Sequence, residues 1–374
     1  MPCGGFLYER EAMVLLISLF LAFLIVRLGK TVLKKRAGLC YGIACAMSLS
    51  IVTFVYSGAS KNLSGVPQTL ANVLLQGGLA GALFILVMYA GAVPDKSVFR
   101  KTVMPLRGPL SILASILTLG HNIAYGRTYF VYLFTQASSL RLNVLLAAIC
   151  SLIMIFIMLP LFVTSFLCIR KKMPPKRWKQ LQRLAYVFYA LMFIHVLLLN
   201  TTGAREGKWT AILNIALYAL LFLVYASLRL CRWAQKSGRE SWTASIQLLC
   251  SALMIGGLTL IFMPIKGESV AIQAAETIKE VYEEPDAWID GKYKGDAIGY
   301  NGRLTVSVVV KDGKISRAVC TGNVEDEPYI TDAIEGVLGT MVDKNTTHVD
   351  TVSSATTTSD ALIEAVRKAL DQAK

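Results

Sequence analysis

Two groups of residues in this 374-residue chain have the types and spacing to do chemistry. The first is the run Asp350-Thr351-Val352-Ser353-Ser354-Ala355-Thr356-Thr357-Thr358-Ser359, in which seven of ten residues carry a hydroxyl. Ala361, Leu362, Ala365, Val366, Ala369 and Leu370 follow at helical spacing, so a polar loop feeds the N-terminus of an amphipathic helix. Unpaired backbone N–H groups and the positive end of the helix dipole make such a junction a seat for phosphate. The plainer alternative is a solvated Ser/Thr-rich loop before an ordinary surface helix.

The second group is a pair of histidines. The chain has three, and two, His121 and His195, lie in apolar stretches. An ionisable residue in a membrane is costly and by default functional. His121 is 14 residues beyond Arg107 and His195 is 12 beyond Arg183, which puts them about 21 and 18 Å from the basic end of their helices. Two imidazoles at one depth on separate helices can supply both axial ligands of a b-type haem; the alternative is hydrogen-bonding glue between helices. His348 is flanked by polar residues and reads as a surface residue.

The elements that must position these groups are membrane helices and a small polar domain. A hydrophobic content of 55% and a mean hydropathy of +0.54 are not those of a soluble protein. Eight apolar segments reach the length needed to span, at about 12–29, 37–57, 69–93, 108–130, 142–169, 182–200, 208–228 and 244–264. Residues 268–374 hold 11 Lys+Arg and 19 Asp+Glu, leaving 27 and 5 upstream. Twenty of those 27 basic residues fall between spans one and two, three and four, five and six, and seven and eight. The positive-inside rule then places both termini outside. Short basic clusters between apolar segments suit a lipid bilayer and argue against nucleic acid. The first apolar run precedes its positive charges, so it reads as a retained span and not as a cleavable signal. Eight scattered cysteines without a C-x-x-C give no iron–sulfur or zinc framework.

Beyond a connector at 265–290, in which Ser269–Glu284 reads as a short acidic helical segment or a solvated linker, Gly291–Ala297 begins a strand. Leu304–Val310 alternates toward the hairpin turn Lys311-Asp312-Gly313-Lys314, Ile315–Cys320 returns, and a helix is expected from about Ile330 to Thr340 behind Pro328. The expected fold is therefore a multi-pass α-helical membrane domain of about eight spans plus a small extracytoplasmic α+β domain. Its parts are 1–66, two N-terminal helices; 67–264, a haem-binding core; 265–290, a linker; and 291–374, the polar domain.

The order Asp-x-x-Ser-Ser-Ala-Thr-x-Thr-Ser before an Ala-Val-x-x-Ala-Leu helix resembles the FMN-binding domain of the C and G subunits of sodium-pumping and Rnf-type quinone oxidoreductases. The resemblance implies FMN joined through its phosphate to the Thr356 hydroxyl. Asp350, Ser353, Ser354, Ala355, Thr358 and Ser359 match the surrounding motif positions, with Ser354 where glycine is commonest. It also implies an FMN-transferring enzyme as partner. Spans three to seven, with Leu159-Pro160-Leu161, Thr164-Ser165, Trp178–Tyr186 and His195, resemble the ferric-reductase-like transmembrane domain, in particular the membrane haem partner of periplasmic methionine sulfoxide reductase. That family commonly carries a second histidine where this chain has Gln182, and Arg107 stands 14 residues before His121, so an inner bis-histidine haem is not expected. Together these readings imply a flavocytochrome-type electron-transfer reductase of a bacterial cell membrane. Electrons would come from a quinol or a cytoplasmic flavoprotein, pass through one haem to covalent FMN, and reach an extracytoplasmic acceptor; no residue is assigned a further catalytic role. The alternative is a membrane-anchored flavin sensor without haem.

Overall fold

The computed structural model describes residues 10–59, 65–262, 282–326, 329–353 and 355–374. Their contacts divide the chain into two compact units: one of Phe6–Val131 with Leu146–Phe262, the other of Met1–Gly5, Tyr132–Leu145 and Met263–Lys374.

In the helical unit the described elements are α1 (Arg10–Lys35), α2 (Ala37–Tyr56), α3 (Gly65–Leu75), α4 (Gly78–Ala92), α5 (Val98–Val103), α6 (Arg107–His121), α7 (Arg127–Thr135), α8 (Leu142–Val163), α9 (Leu167–Arg170), α10 (Pro175–Gln182), α11 (Leu184–Arg205), α12 (Trp209–Lys236) and α13 (Trp242–Phe262); α7 and α8 begin or end in the other unit. α4 is apolar on every side and buried almost throughout, as a central helix must be. Small residues let its neighbours approach. A Cβ built on Gly78 would lie 2.5 Å from Ser18 Oγ, and one on Gly120 of α6 would lie 2.7 Å from Ser48 Cβ of α2. At the second crossing Ser48 Oγ donates to the Ile116 carbonyl at 3.0 Å, the kind of bond that joins helices where apolar burial gives no preference for protein over lipid. Outward-facing Phe20, Leu49, Phe156 and Leu248 are more than half exposed, as lipid-facing positions are.

Six helices among the described residues are long and apolar enough to cross a membrane: Val14–Lys35, Ala37–Tyr56, Val98–Thr135, Leu142–Val163, Pro175–Arg205 and Trp209–Lys236. The expected span 69–93 is broken: Pro67–Leu75 and Gly78–Ala92 meet at 56°, because Gly77 takes a left-handed φ of +74° that ends one helix and starts another. The expected last span falls on α13, 21 residues long. The eight apolar segments of the sequence thus correspond to six helices of crossing length, one bent pair and α13.

In the second unit β1 (Gly291–Ile298), β2 (Arg303–Lys311) and β3 (Lys314–Gly322) form an antiparallel sheet in the order β1-β2-β3. Leu304, Val306, Val308 and Val310 alternate onto its buried face. Across them lies α16 (Thr356–Leu370), whose Ala361, Leu362, Ala365, Val366, Ala369 and Leu370 are all buried. Gly295 permits this closeness, since a Cβ there would collide with the Ala365 carbonyl. The expected hairpin turn is present, with Asp312 and Gly313 at φ of 55° and 71°. Asp290 fixes it by accepting both their N–H groups at 2.9 Å. In place of one helix over 330–340 there are α14 (Tyr329–Ala333), a wide π-type turn at Ile334–Gly339 and α15 (Thr340–Lys344); Pro328 lies outside the described residues, as does most of the 265–290 connector. The connector's described end is part of the domain. Glu284 accepts from the Thr347 N–H, and Tyr282 lies under the Arg367 guanidinium at 4.8 Å. The segment Tyr132–Leu145 belongs to the same unit, through Arg141 N–H to the Asn301 carbonyl at 2.9 Å and Tyr132 Oη to the Asn323 carbonyl at 2.8 Å.

Candidate functional site

Helix α16 begins at Thr356, behind Ala355, and among the described residues no side chain caps its first N–H groups. The first intrahelical bond there is Ser359 N–H to the Ala355 carbonyl at 2.8 Å, so the amides of the opening turn are left to face the loop. The hydroxyls divide by exposure. Thr356 is exposed, whereas Thr358 and Ser359 are buried. Ser359 Oγ accepts the Val352 N–H at 3.1 Å and Thr358 Oγ1 donates to Glu325 at 2.7 Å, so these two shape the loop from beneath. Ala355 is buried, which holds the helix start against the domain core. Asp350 and Ser353 are exposed on the same loop; Ser354 lies outside the described residues. One threonine hydroxyl of the motif thus points outward at a helix N-terminus, and the arrangement suits a phosphoester there.

Glu325 is the residue that sequence reasoning did not single out. Its carboxylate accepts the N–H groups of Tyr300, Asn301 and Gly302 at 3.1, 2.9 and 3.3 Å, besides the Thr358 hydroxyl. It therefore ties the β1–β2 connection to the loop before α16. Burial pushes its pKa up, against the opposing pull of those four donors. The partners are 23 to 33 residues away, and no local period or motif links them in the sequence. Burial also raises the Cys320 thiol, which removes the only cysteine of residues 268–374 as a ready nucleophile. His348 is exposed, with Nε2 3.0 Å from the Tyr282 carbonyl.

The two intramembrane histidines are anchored alike. His121, at the end of α6, places Nδ1 2.7 Å from the Leu75 carbonyl. That carbonyl ends α3 at the Gly77 break, where intrahelical partners run out. His195, in α11, places Nδ1 3.1 Å from the Ala147 carbonyl and 3.1 Å from Ser151 Oγ. A carbonyl only accepts, so Nδ1 carries the proton in both rings and the Nε2 lone pair is left for another partner. This is the anchorage that metal-ligating histidines use, and both rings are half-buried. Each ring therefore keeps an Nε2 lone pair of the kind a metal ligand needs. Among the described residues no three or more His, Cys, Asp or Glu side chains gather to hold a bare metal ion. Arg107 and Gln182, the positions at which an inner histidine pair was not expected, line one cavity together.

These features define a membrane protein with a multi-pass helical region and a small FMN-binding α+β domain. Residues 299–371 match the FMN-binding domain family. Over 360 residues the chain is 35% identical to an "Uncharacterized protein" of Treponema pallidum (strain Nichols), covering 96% of this chain and 98% of that one, and it belongs to that protein's family. Over 98 residues it is 31% identical to the NADH:acrylate oxidoreductase of Vibrio harveyi, covering 26% of this chain and 10% of that protein. No solved structure matches.

Proposed function

We propose that this chain carries electrons outward across a bacterial cell membrane, His121 and His195 holding one b-type haem and Thr356 holding FMN by a phosphoester. The observation that carries the reading is the FMN-binding domain at 299–371, attached to a helical region with six crossing-length helices. The partial likeness to an oxidoreductase supports a redox role. When bound, FMN exchanges one or two electrons and haem one.

The chain's own residues supply attachment and tuning. The outward Thr356 hydroxyl is the attachment point, the amides at the start of α16 face the phosphate position, and Asp350, Ser353, Ser354 and Ala355 frame the loop that an FMN-transferring enzyme must read. Thr358 and Ser359 hold that loop from inside. His121 and His195, each with Nδ1 committed to a carbonyl, would hold the haem through Nε2, and the haem would supply one-electron transfer there. The basic loops support an orientation with both termini and the flavin domain outside. The chain divides in this reading at 1–66, 67–264, 265–290 and 291–374, the ferric-reductase-like core resting on the resemblance of spans three to seven. The donor is a quinol or a cytoplasmic flavoprotein, and the acceptor an extracytoplasmic molecule.

The test is a visible spectrum of detergent-purified full-length protein, oxidised and dithionite-reduced, with flavin fluorescence read from the denatured gel band. Sharp reduced haem bands and flavin that survives denaturation are expected; His121→Ala and His195→Ala lose the first and keep the second. Covalent flavin without haem would refute the relay and make the protein an anchored flavin sensor.

A further inference from the structure

Five cations line one cavity of about 200 Å³ in the helical unit: Arg100, Arg107, Arg229, Arg232 and Lys236. Among the described residues a single carboxylate answers them. Asp95 pairs with Arg100 Nε at 2.9 Å and with Arg232, and the same two guanidiniums donate to the Ala90 and Val93 carbonyls at 2.8 and 2.5 Å. Arg229 is held on Tyr186, by a hydrogen bond and with the guanidinium 5.2 Å from the ring centre. Arg107 is different. It is half-buried, its guanidinium makes no hydrogen bond or ion pair with a described residue, and it also lines a second, smaller cavity of about 30 Å³ that has Ala185 and Tyr189 in common with the first.

A concave, partly apolar wall focuses the field of such charges, and a guanidinium taken from water without a partner is costly. The missing partner is an anion. Arginine forks match phosphate oxygens, and a lysine adds a point charge. The space exceeds what one phosphate fills, and Val87, Met88 and Met104 line it beside tyrosines, so the anion carries an apolar body.

We propose that this cavity binds a phosphate-bearing ligand with an apolar or aromatic body, its phosphate between Arg107, Arg229 and Lys236. The phosphate belongs either to a membrane lipid headgroup or to a soluble phosphate ester. This inference is independent of the haem and flavin reading.

The experiment uses full-length protein with two probes: radiolabelled 1-naphthyl phosphate in equilibrium dialysis against phosphatidylcholine nanodiscs, and phosphatidylglycerol against phosphatidylcholine in native mass spectrometry. Saturable binding of one molecule per chain is expected for at least one probe. A gain with naphthyl phosphate identifies the soluble ester, and a gain with phosphatidylglycerol the lipid. Arg107→Gln should weaken binding about tenfold or more, from loss of charge-assisted bonds. Arg107→Lys, which keeps the charge but not the fork, should fall between, and serves if the glutamine variant does not fold. Lys171→Gln with Lys172→Gln, exposed basic residues outside the cavity, should leave binding unchanged. Absence of saturable binding by both probes, or an equal effect of Arg107→Gln and the control pair, would overturn the proposal.

Discussion

Replacing Glu325 with alanine removes the acceptor for four donors at once: the amides of Tyr300, Asn301 and Gly302 and the hydroxyl of Thr358. A hydrogen bond to a charged group is worth about 1.5–3 kcal/mol. The four share one carboxylate, water can enter the space left behind, and the carboxylate's own burial cost is relieved, so they do not add. A net loss of about 2–4 kcal/mol is expected for the corner that joins the β1–β2 connection to the flavin loop. Hydrogen exchange in the full-length protein reads it directly. The amides of Tyr300–Arg303 should exchange roughly 30-fold to several hundredfold faster in Glu325→Ala, at about 1.4 kcal/mol per tenfold, while those of α4 keep wild-type rates. Unchanged exchange at 300–303 would refute the claim that Glu325 holds this corner. Glutamine isolates the charge. Because burial raises the Glu325 pKa in the folded state, its contribution is fully present below the unfolded carboxyl value and is lost as pH rises through the raised one. The stability of wild type relative to Glu325→Gln should therefore fall as pH climbs above the ordinary glutamate range. The intrinsic pH dependence of exchange cancels in that ratio, so a flat ratio would contradict a raised carboxyl.

Thr356→Ala, at an exposed position, should abolish flavin fluorescence in the denatured band and leave stability within about 0.5 kcal/mol. Thr358→Ala, buried against Glu325, should keep the fluorescence and cost about 1–2 kcal/mol; the same gel and melt decide both. Gly77→Ala puts a side chain on a φ of +74° with Cβ 3.3 Å from the His121 ring. It should cost about 1–2 kcal/mol and shift the haem spectrum, whereas Gly81→Ala, with nothing within 4 Å of its Cβ, should leave the spectrum unchanged. Gly295→Ala meets the backbone of Ala365 and Ala369, where no flexible side chain can yield. Its melting midpoint should fall by the equivalent of about 3 kcal/mol or more, and that of Gly322→Ala, in open space, should hold.

The parts legible in the sequence are those whose signals are local. Strand β2 shows its buried face as Leu304, Val306, Val308 and Val310; α16 shows its own as Ala361, Leu362, Ala365, Val366, Ala369 and Leu370; and the Asp312-Gly313 turn needs only residues that tolerate positive φ. Each depends on a period or a dipeptide. Glu325 has no such signal. Its meaning lies in amides some 25 residues upstream and a hydroxyl 33 downstream, and a Val-Glu-Asp run in a polar stretch looks like a solvated edge. The wide turns at 122–126 and 334–339 were hidden for a related reason, since a π-type turn keeps helical composition while shifting its register.

The broken span joins one expected span to one of the two histidines. Hydropathy averaged over 69–93 passes smoothly across Gln76 and Gly77, because one glycine hardly moves the mean. Depth counting placed His121 on its helix without reference to that segment. The structure connects them: the left-handed Gly77 stops α3 at Leu75, the stop leaves the Leu75 carbonyl without a helical donor, and that carbonyl takes the His121 Nδ1 proton. A continuous helix would have spent the carbonyl on its own ladder. The break is therefore what fixes the His121 tautomer, and with it the direction in which Nε2 is offered. His195 reaches the same state by another route, on an unbroken α8 whose Ala147 carbonyl accepts a second bond beside Ser151. Two different local structures arriving at one tautomer, on the two intramembrane histidines of the chain, is a stronger argument for a shared ligand than their depth, since helix packing alone requires no particular nitrogen to stay free.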